Sequence, residues 1–212
     1  MTDQDTLDYR EAMVEWAETF LCRPHERLGR SGVVCPFVGP SLTEGLFWMT
    51  VAPGPVSFEA GDELLAKHRR WFPRLAPREG ERAAYKVILV LFPDVAAEAA
   101  PAAMEDLYRL TKPKFTAEKL ASATCYPTSS KPGLRRSDFH PFSSPVPFLA
   151  FRNMVTCDIH ALRDRAEFLV YLDEFRHELP PRYAPLLLEL AEKFDVPTAM
   201  LGLPPAGSGD AL

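Results

Sequence analysis

The chain has 212 residues, of which 47% are hydrophobic and 25% are charged, close to the average of globular proteins. This composition excludes a disordered or fibrous chain, and the length suits one domain of ordinary size. The net charge of −5 argues against a nucleic-acid partner. The longest apolar runs are too short to span a bilayer, and the acidic N-terminus is unlike a signal peptide. We therefore expect a cytoplasmic protein without a membrane partner.

Hydrophobic patterning predicts helices where apolar residues recur about every 3.6 residues, and strands where short apolar or β-branched runs occur. In chain order the pattern predicts helix 5–22, strands 33–38 and 45–51, helix 58–72, strand 85–92, helix 97–110, an extended segment 123–127, strand 146–152, and helices 162–178 and 184–194. Whether residues 115–123 extend the third helix beyond Lys112-Pro113 stays open.

Helices at both ends with strands between them predict a single α+β or α/β domain. We place this domain over residues 1–203, with a central mixed sheet flanked by the N-terminal and C-terminal helices. The Pro- and Gly-containing tail at 204–212 is predicted to be disordered. The strand at 146–152 is apolar on both faces, and this pattern is typical of a strand inside a sheet.

The four cysteines are not spaced as in zinc sites, dithiol redox motifs or covalent haem attachment. Free thiols are expected in a chain without a secretion signal, with Cys125 and Cys157 in the interior. His68 and His177 stand among charges on predicted amphipathic helices and should be solvated. The sequence also lacks the motifs of P-loop proteins, dinucleotide-binding enzymes, zincins and α/β-hydrolases.

Two segments contain most of the residues that could bind a ligand or take part in catalysis. Residues 24–37 read PHERLGRSGVVCPF, and residues 135–154 read RRSDFHPFSSPVPFLAFRNM. Each combines histidine and arginine with prolines that stiffen a loop. Binding groups accumulate on loops that rigid elements hold in place, so both segments are candidates for a site.

The same segments resemble a family of bacterial proteins, DUF6875. The resemblance lies in RPHERLGRSGVVCPFV, LFPD and FHPFSSPVPFLAFRNMVTCDIHAL, and covers about residues 24–160. This chain has Pro24-His25 where the family usually has His-Pro, Ser143 where an arginine is common, and Tyr126 where a histidine is common. Members of the family occur in actinomycete biosynthetic contexts, which implies a role in natural-product biosynthesis.

The order of CPF, a central apolar strand and a late Phe-Pro-Arg strand is similar, more distantly, to the YqcI/YcgG proteins. Some of those proteins are haem-dependent oxygenases that oxidise nitrogen in amines or amino acids. This resemblance implies a tailoring enzyme that binds haem b and oxidises a small amine or amino acid. It is an analogy of pattern, so the function is an expectation to be tested.

A haem site needs an axial ligand, an apolar slot and cations for the propionates. Under this hypothesis His140 or His25 binds the iron, and Cys35, which precedes a proline, is a thiolate alternative. Arg30, Arg152 and one further arginine would hold carboxylates of the propionates or the substrate. The further arginine is Arg135 or Arg136, and the candidate aromatic wall consists of Phe139, Phe142, Phe148 and Phe151.

Each of these residues also has a structural interpretation. Either histidine can simply bond a loop carbonyl, and Cys35 can pack as a small hydrophobe. Arg152, at the end of an apolar strand, needs a carboxylate partner, which can be a ligand or a protein group such as Asp94 or Asp158. A second hypothesis is therefore a cofactor-free small-molecule-binding or accessory protein of a biosynthetic pathway, which holds a small acidic metabolite in the same cleft. The sequence leaves a homodimer open.

Overall fold

The computed structural model describes residues 3–52, 54 and 58–203. The tail predicted at 204–212 lies outside the described residues. The helices are α1 (Asp3–Trp16), α2 (Val38–Thr43), α3 (Phe58–Trp71), α4 (Ala100–Ala117), α5 (Arg165–Phe175) and α6 (Ala184–Lys193). The strands are β1 (Phe47–Val51), β2 (Val87–Leu91), β3 (Leu120–Cys125) and β4 (Phe148–Asn153).

The four strands form one mixed sheet in the order β1-β2-β4-β3. β1 and β2 run parallel, and β4 lies antiparallel to both β2 and β3. β4 therefore has a neighbour on each side, with Phe151 opposite Ile88 on β2 and Ser122 on β3. This arrangement confirms the predicted α+β fold and the interior position of the apolar strand.

Apolar side chains cover both faces of the sheet because alternate residues of a strand point to opposite sides. One cluster joins residues of β2 and β4 to α4, including Val90, Phe151, Leu107 and Phe115. A second cluster joins the alternate residues of the same strands to α1, including Leu89, Phe148 and Met13. A third cluster joins α5, α6 and the turns around them, including Phe168, Tyr171, Leu187, Phe194 and Leu201.

The strand predicted at 33–38 is wrong. Val33 forms only an isolated antiparallel bridge with Pro24, and Val38 already begins α2. Pro36 cannot donate a backbone hydrogen bond, whereas Pro40 is tolerated in the first turn of a helix. The proline pattern therefore favours the helix over the strand.

The prediction that the third helix covers 97–110 is incomplete. α4 continues through Pro113 to Ala117, and β3 begins soon afterwards at Leu120. Phe115 is fully buried in the core, and this packing outweighs the helical hydrogen bond that the proline removes.

Two expectations about single residues are also wrong. His68 is buried, and its Nδ1 lies 2.8 Å from the carbonyl oxygen of Leu64 within α3. Cys157 is exposed, whereas Cys125 is buried as predicted. Burial raises the pKa of Cys125 to about 12, which keeps this thiol protonated and unreactive.

Within the described part of the chain, none of the helices combines the length and the apolar character that crossing a membrane requires.

Candidate functional site

An open cleft of about 470 Å³ lies between the end of α1, the segment that follows it, and the loop that leads into β4. It brings together His25 and His140, which stand in the two separate motif segments of the sequence. The residues that line the cleft are Trp16, Phe20, His25, Glu26, Arg27, Asp138, Phe139, His140 and Ser143.

Aromatic side chains form one wall of the cleft. α1 continues into a π-helical turn, Ala17–Leu21, and this wider turn carries Phe20. The ring of Phe20 lies 6.0 Å from that of Trp16 and 6.2 Å from that of Phe139. Phe139 is buried and packs against the imidazole of His25, with ring centroids 4.6 Å apart. The histidine is therefore held against an apolar surface.

One nitrogen of His25 has a structural role. Nδ1 accepts a hydrogen bond from the backbone N–H of Arg27 at 3.1 Å and so caps the short helix Glu26–Leu28. A neutral imidazole has one donor and one acceptor nitrogen, so this bond leaves the proton on Nε2. While the cap is intact, neutral His25 offers the cleft a hydrogen-bond donor rather than a lone pair.

Gly29 lets the two motif segments approach closely. Its φ of 73° is in the left-handed region that favours glycine. A Cβ at this position would lie 3.1 Å from Cγ of Arg136 and 3.2 Å from Cβ of Arg135, tighter than ordinary contact. The turn therefore favours a glycine here, and a larger residue would also have to displace the two arginine side chains by a few tenths of an ångström.

Asp138 supplies a fixed negative charge at the rim of the cleft. The guanidinium of Arg136 donates two hydrogen bonds to its carboxylate, at 2.9 and 2.7 Å. These bonds, with a smaller contribution from the nearby charge of Arg27, lower the pKa of Asp138 to about 2. Asp138 is therefore ionised at neutral pH, and Arg136 largely neutralises its charge.

The three other predicted site residues, Arg30, Cys35 and Arg152, lie outside the set that lines the cleft. Arg30 donates to the carbonyl oxygens of Ser31 and Val34, at 2.9 and 3.1 Å, and so stiffens its own loop. Cys35 is half-buried and follows that loop. Neither of these two side chains is placed to hold a ligand in the cleft.

Arg152 is engaged by a protein carboxylate. Its two terminal nitrogens donate to Asp158 at 2.9 and 2.6 Å, and its guanidinium lies 4.7 Å from the ring centre of Phe37. Asp158 also accepts a hydrogen bond from the backbone N–H of Val155. Asp158, and not Asp94, is therefore the partner of Arg152, and the arginine has a structural role.

The aromatic wall differs in part from the predicted one. Phe139 lines the cleft, but Phe148 packs behind it against Trp16, with ring centroids 5.8 Å apart. Phe151 lies in the cluster on the other face of the sheet, against Phe115. The reason is the alternation of side chains along β4, which sends its aromatic residues into separate layers.

The structure brings the two predicted haem ligands, His25 and His140, to one cleft, but it engages two of the predicted arginines elsewhere. Both histidines face the cleft, but the cap on His25 occupies the nitrogen that a metal-bound histidine normally uses as a donor to its second shell. Arg30 and Arg152 are engaged elsewhere, so neither is free for a propionate. Among the described residues, no cluster of three or more histidine, cysteine or acidic side chains is arranged to hold a free metal ion, whereas haem iron needs only one axial ligand from the protein.

Sequence reasoning missed Trp16, Phe20 and Arg27 as cleft residues. Trp16 and Phe20 are four residues apart at the end of a predicted helix, a spacing that places them on one face. That spacing is equally typical of ordinary core residues, so it carries no signal for a site. Arg27 stands inside the motif segment, but its position beside the cap of His25 is visible only in the fold.

Comparison with known proteins gives one result. Among curated proteins and among solved structures, nothing matches this chain. One family model, described as a domain of unknown function, matches residues 10–185, a range that contains both motif segments and every residue lining the cleft. The chain therefore belongs to the DUF6875 family.

Proposed function

We propose that the cleft binds a small molecule with an apolar or aromatic part and an ionic head, as in an amino acid or an amine. The observation that supports this function best is the meeting of the two motif segments at one cleft, where each contributes an imidazole. Small-molecule sites combine an apolar surface with a few convergent polar groups, and this cleft has both.

The apolar part of the ligand would lie against the aromatic wall. Trp16, Phe20 and Phe139 present rings to the cleft from two different segments of the chain. Aromatic rings pack favourably with other flat groups in offset or edge-to-face arrangements. A ligand with an aromatic or branched apolar side chain fits this surface.

The ionic head would meet charges of both signs at the rim. Arg27 and Glu26 are adjacent and exposed, and both line the cleft. A carboxylate of the ligand would pair with the guanidinium, and an ammonium group would pair with the carboxylate. This combination favours an amino acid over a simple dicarboxylic acid.

The histidines would add proton chemistry to binding. The Nε2–H of neutral His25 can donate a hydrogen bond to an oxygen of the ligand, while His140 is exposed at the other side of the cleft. An imidazole beside a bound group suits proton transfer to or from that group. Oxidation of an amine or amino acid with haem b stays the alternative prediction for this cleft.

Tryptophan fluorescence tests the proposal, because Trp16 lines the cleft. The protein would be titrated with a panel of aromatic and branched amino acids and the corresponding amines. We expect at least one member to quench the emission saturably, and we expect Arg27→Ala to weaken its binding about tenfold or more. The matched control is Arg165→Ala, which removes an exposed arginine outside the cleft and should leave the affinity unchanged.

Two outcomes would contradict this assignment. One is saturable binding that Arg27→Ala and Phe139→Ala leave unaffected. The other is no binding by any member of the panel. The absorption spectrum of the same protein with added hemin tests the alternative: a Soret band that is lost in His140→Ala but retained in His160→Ala would favour haem.

A further inference from the structure

We propose that Cys22 and Cys35 form a reversible disulfide that ties together the two ends of the segment carrying His25 and Arg27. The proposal concerns a covalent modification and goes beyond ligand binding. Its effect on the cleft rests on the proposed function, whereas formation of the disulfide does not.

The backbone places the two cysteines close to each other. Pro24 and Val33 form an isolated antiparallel bridge, which brings the residues that precede Pro24 near those that follow Val33. Two hydrogen bonds flank Cys22: Val34 N–H donates to the carbonyl of Arg23 at 2.9 Å, and Cys35 N–H donates to that of Leu21 at 2.9 Å. The backbone of Cys35 therefore lies beside that of Cys22.

The spacing is within the range of natural disulfides. Cα of Cys22 is one peptide unit from the carbonyl oxygen of Leu21, which in turn accepts the hydrogen bond from Cys35. Standard bond lengths along this path leave the two Cα atoms no more than roughly 7 Å apart, the upper limit for a disulfide without backbone movement.

The charge of a Cys35 thiolate acts on the thiols of Cys22, Cys125 and Cys157 alike, so it is the backbone hydrogen bonds that single out Cys22 as the partner. Burial, and after it the negative charge of the Cys35 thiolate, raise the pKa of the Cys22 thiol. Sγ of Cys22 also lies near the start of α2, because a Cβ built on Gly39 would be 3.8 Å from this sulfur. Both cysteines are half-buried, so they are less enclosed than Cys125.

A small disulfide such as oxidised glutathione is a sufficient oxidant. One cysteine thiolate attacks it, forms a mixed disulfide and releases one molecule of reduced glutathione. The other cysteine then attacks the mixed disulfide and releases the second. Two protein thiols lose two electrons and two protons in total, and these reduce oxidised glutathione to two reduced molecules.

Closure of this disulfide would restrain one side of the cleft. The enclosed segment contains the His25 cap, Glu26, Arg27 and the Gly29 turn, which Arg30 already stiffens through two hydrogen bonds to backbone carbonyls. The cross-link would limit how far this segment can move away from the loop carrying Phe139 and His140.

Thiol mapping tests the proposal on the full chain. The protein is equilibrated with oxidised glutathione, free thiols are blocked with iodoacetamide, and tryptic peptides are analysed without reduction. We expect the Cys22 and Cys35 thiols to be lost together, with their two peptides linked. Arg27 and Arg30 lie between the cysteines and are exposed, so tryptic cleavage separates the peptides unless a disulfide joins them.

Variants make the result decisive. Cys22→Ser should leave Cys35 carrying one glutathione, and Cys35→Ser should do the same for Cys22. Cys157→Ser removes an exposed thiol elsewhere and should leave the link intact. The proposal is overturned if glutathione accumulates on both cysteines of the wild-type protein without a link, if Cys35 links to another cysteine, or if only Cys157 reacts. None of these readouts depends on ligand binding, so failure of the proposed function would be separately visible.

Discussion

Two cations at one end of the sheet are stabilised in different ways. Arg152 on β4 pairs in register with Val87 on β2, and Lys86 directly precedes that residue. Arg152 has a carboxylate partner in Asp158. Lys86 is only 1% exposed and donates to the carbonyl oxygens of Phe72 and Leu75, at 3.3 and 3.1 Å. The consequences of removing each charge therefore differ.

For Arg152→Met, we expect a large loss of stability. The substitution leaves Asp158 buried without its bidentate partner, and such a loss costs on the order of 3–5 kcal/mol. Urea unfolding of the variant measures the change in free energy. Arg82→Met is the control, since Arg82 is largely exposed where it pairs with Glu44. A loss equal to that of the control would show that the buried pair contributes little.

For Lys86→Met, we expect an effect that depends on pH. Burial, with a smaller contribution from the charge of Arg78, lowers the pKa of Lys86 below its usual value of 10.5. The unfolded chain therefore binds this proton more tightly, so this group makes the wild-type protein more stable as pH rises from the lowered pKa to 10.5. The variant lacks this gain.

Unfolding free energies of the wild type and Lys86→Met across the alkaline range check this sign. The free energy of unfolding of the wild type, minus that of the variant, should increase as pH rises towards 10.5, the usual pKa of a lysine. A difference that stays constant with pH would mean that Lys86 has an ordinary pKa in the fold.

Two substitutions of His25 test whether its side chain stabilises the fold as a helix cap. His25→Ala removes the side chain that accepts from Arg27 N–H, and we expect a loss of about 0.5–2 kcal/mol. His25→Asn keeps an acceptor at the cap and should retain most of the stability, because asparagine is favoured at this position. Thermal unfolding distinguishes them. Equal melting temperatures for the two variants would show that the cap contributes nothing measurable.

At the scale of single residues, the sequence predicts environments better than partners. The apolar run before Arg152 predicts an arginine at the edge of the core, but its choice between Asp94 and Asp158 depends on the turn after β4. His68 shows the reverse: it stands among charged neighbours in sequence, yet the helix turns it towards the core. Neighbours in sequence describe a helical residue poorly, since its environment is set by residues three and four positions away.

At the scale of elements, α4 contains the clearest conflict between local preference and tertiary packing. Pro113 removes one backbone hydrogen bond, yet the helix extends one further turn to bury Phe115 and Thr116. Local propensity predicts that the helix ends near residue 110. It cannot include the stability gained when Phe115 packs in the core, because that contact depends on the tertiary structure. The same holds for residues 33–38, where an apolar run forms a loop and the start of a helix.

The conflict in α4 can be measured with Pro113→Ala. Pro113 is exposed, so the substitution removes no core contact and restores a donor to the helix. We expect a stability gain of about 1–3 kcal/mol, reduced somewhat because alanine leaves the unfolded chain more flexible. Chemical denaturation gives the value, with Pro101→Ala at the first turn as the control, where proline is tolerated. A loss of stability in Pro113→Ala would contradict this interpretation.

At the scale of the whole molecule, the core extends beyond the family match. The match ends at residue 185, whereas α6 continues to Lys193 and buries Leu187 and Leu190 against α5. This third cluster is separate from the two clusters on the sheet. The residues of α6 after 185 are therefore part of the folded domain.

Two adjacent leucines test this conclusion. Leu187 is 2% exposed and Leu188 is 46% exposed, so they have the same chemistry in opposite environments. We expect Leu187→Ala to cost about 2–5 kcal/mol and Leu188→Ala to cost much less. Their melting temperatures decide the question. A similar, small effect in both would mean that α6 contributes little to the stability of the domain.

The sequence predicts the candidate site in outline. It singles out both motif segments, and His25, His140 and Phe139 do meet at one cleft. Arg30 and Arg152 instead bond protein groups, because a charge in a motif does not reveal whether its partner is a ligand or the protein. The aromatic residues of α1 and its π-helical turn reach the loop before β4 only through the tertiary structure.

The distance in sequence between the two sides of the cleft has a consequence for how the protein folds. His25 and His140 come from opposite parts of the chain, and the sheet between them pairs strands that are themselves distant in sequence. Contacts between distant residues form slowly, because closing long loops has an entropic cost that must be met before packing compensates it. Helices such as α4 can form early from local contacts, but the cleft has no local precursor. A partly folded chain therefore carries the two histidines without the site, and the cleft forms only when the sheet has brought both motif segments together.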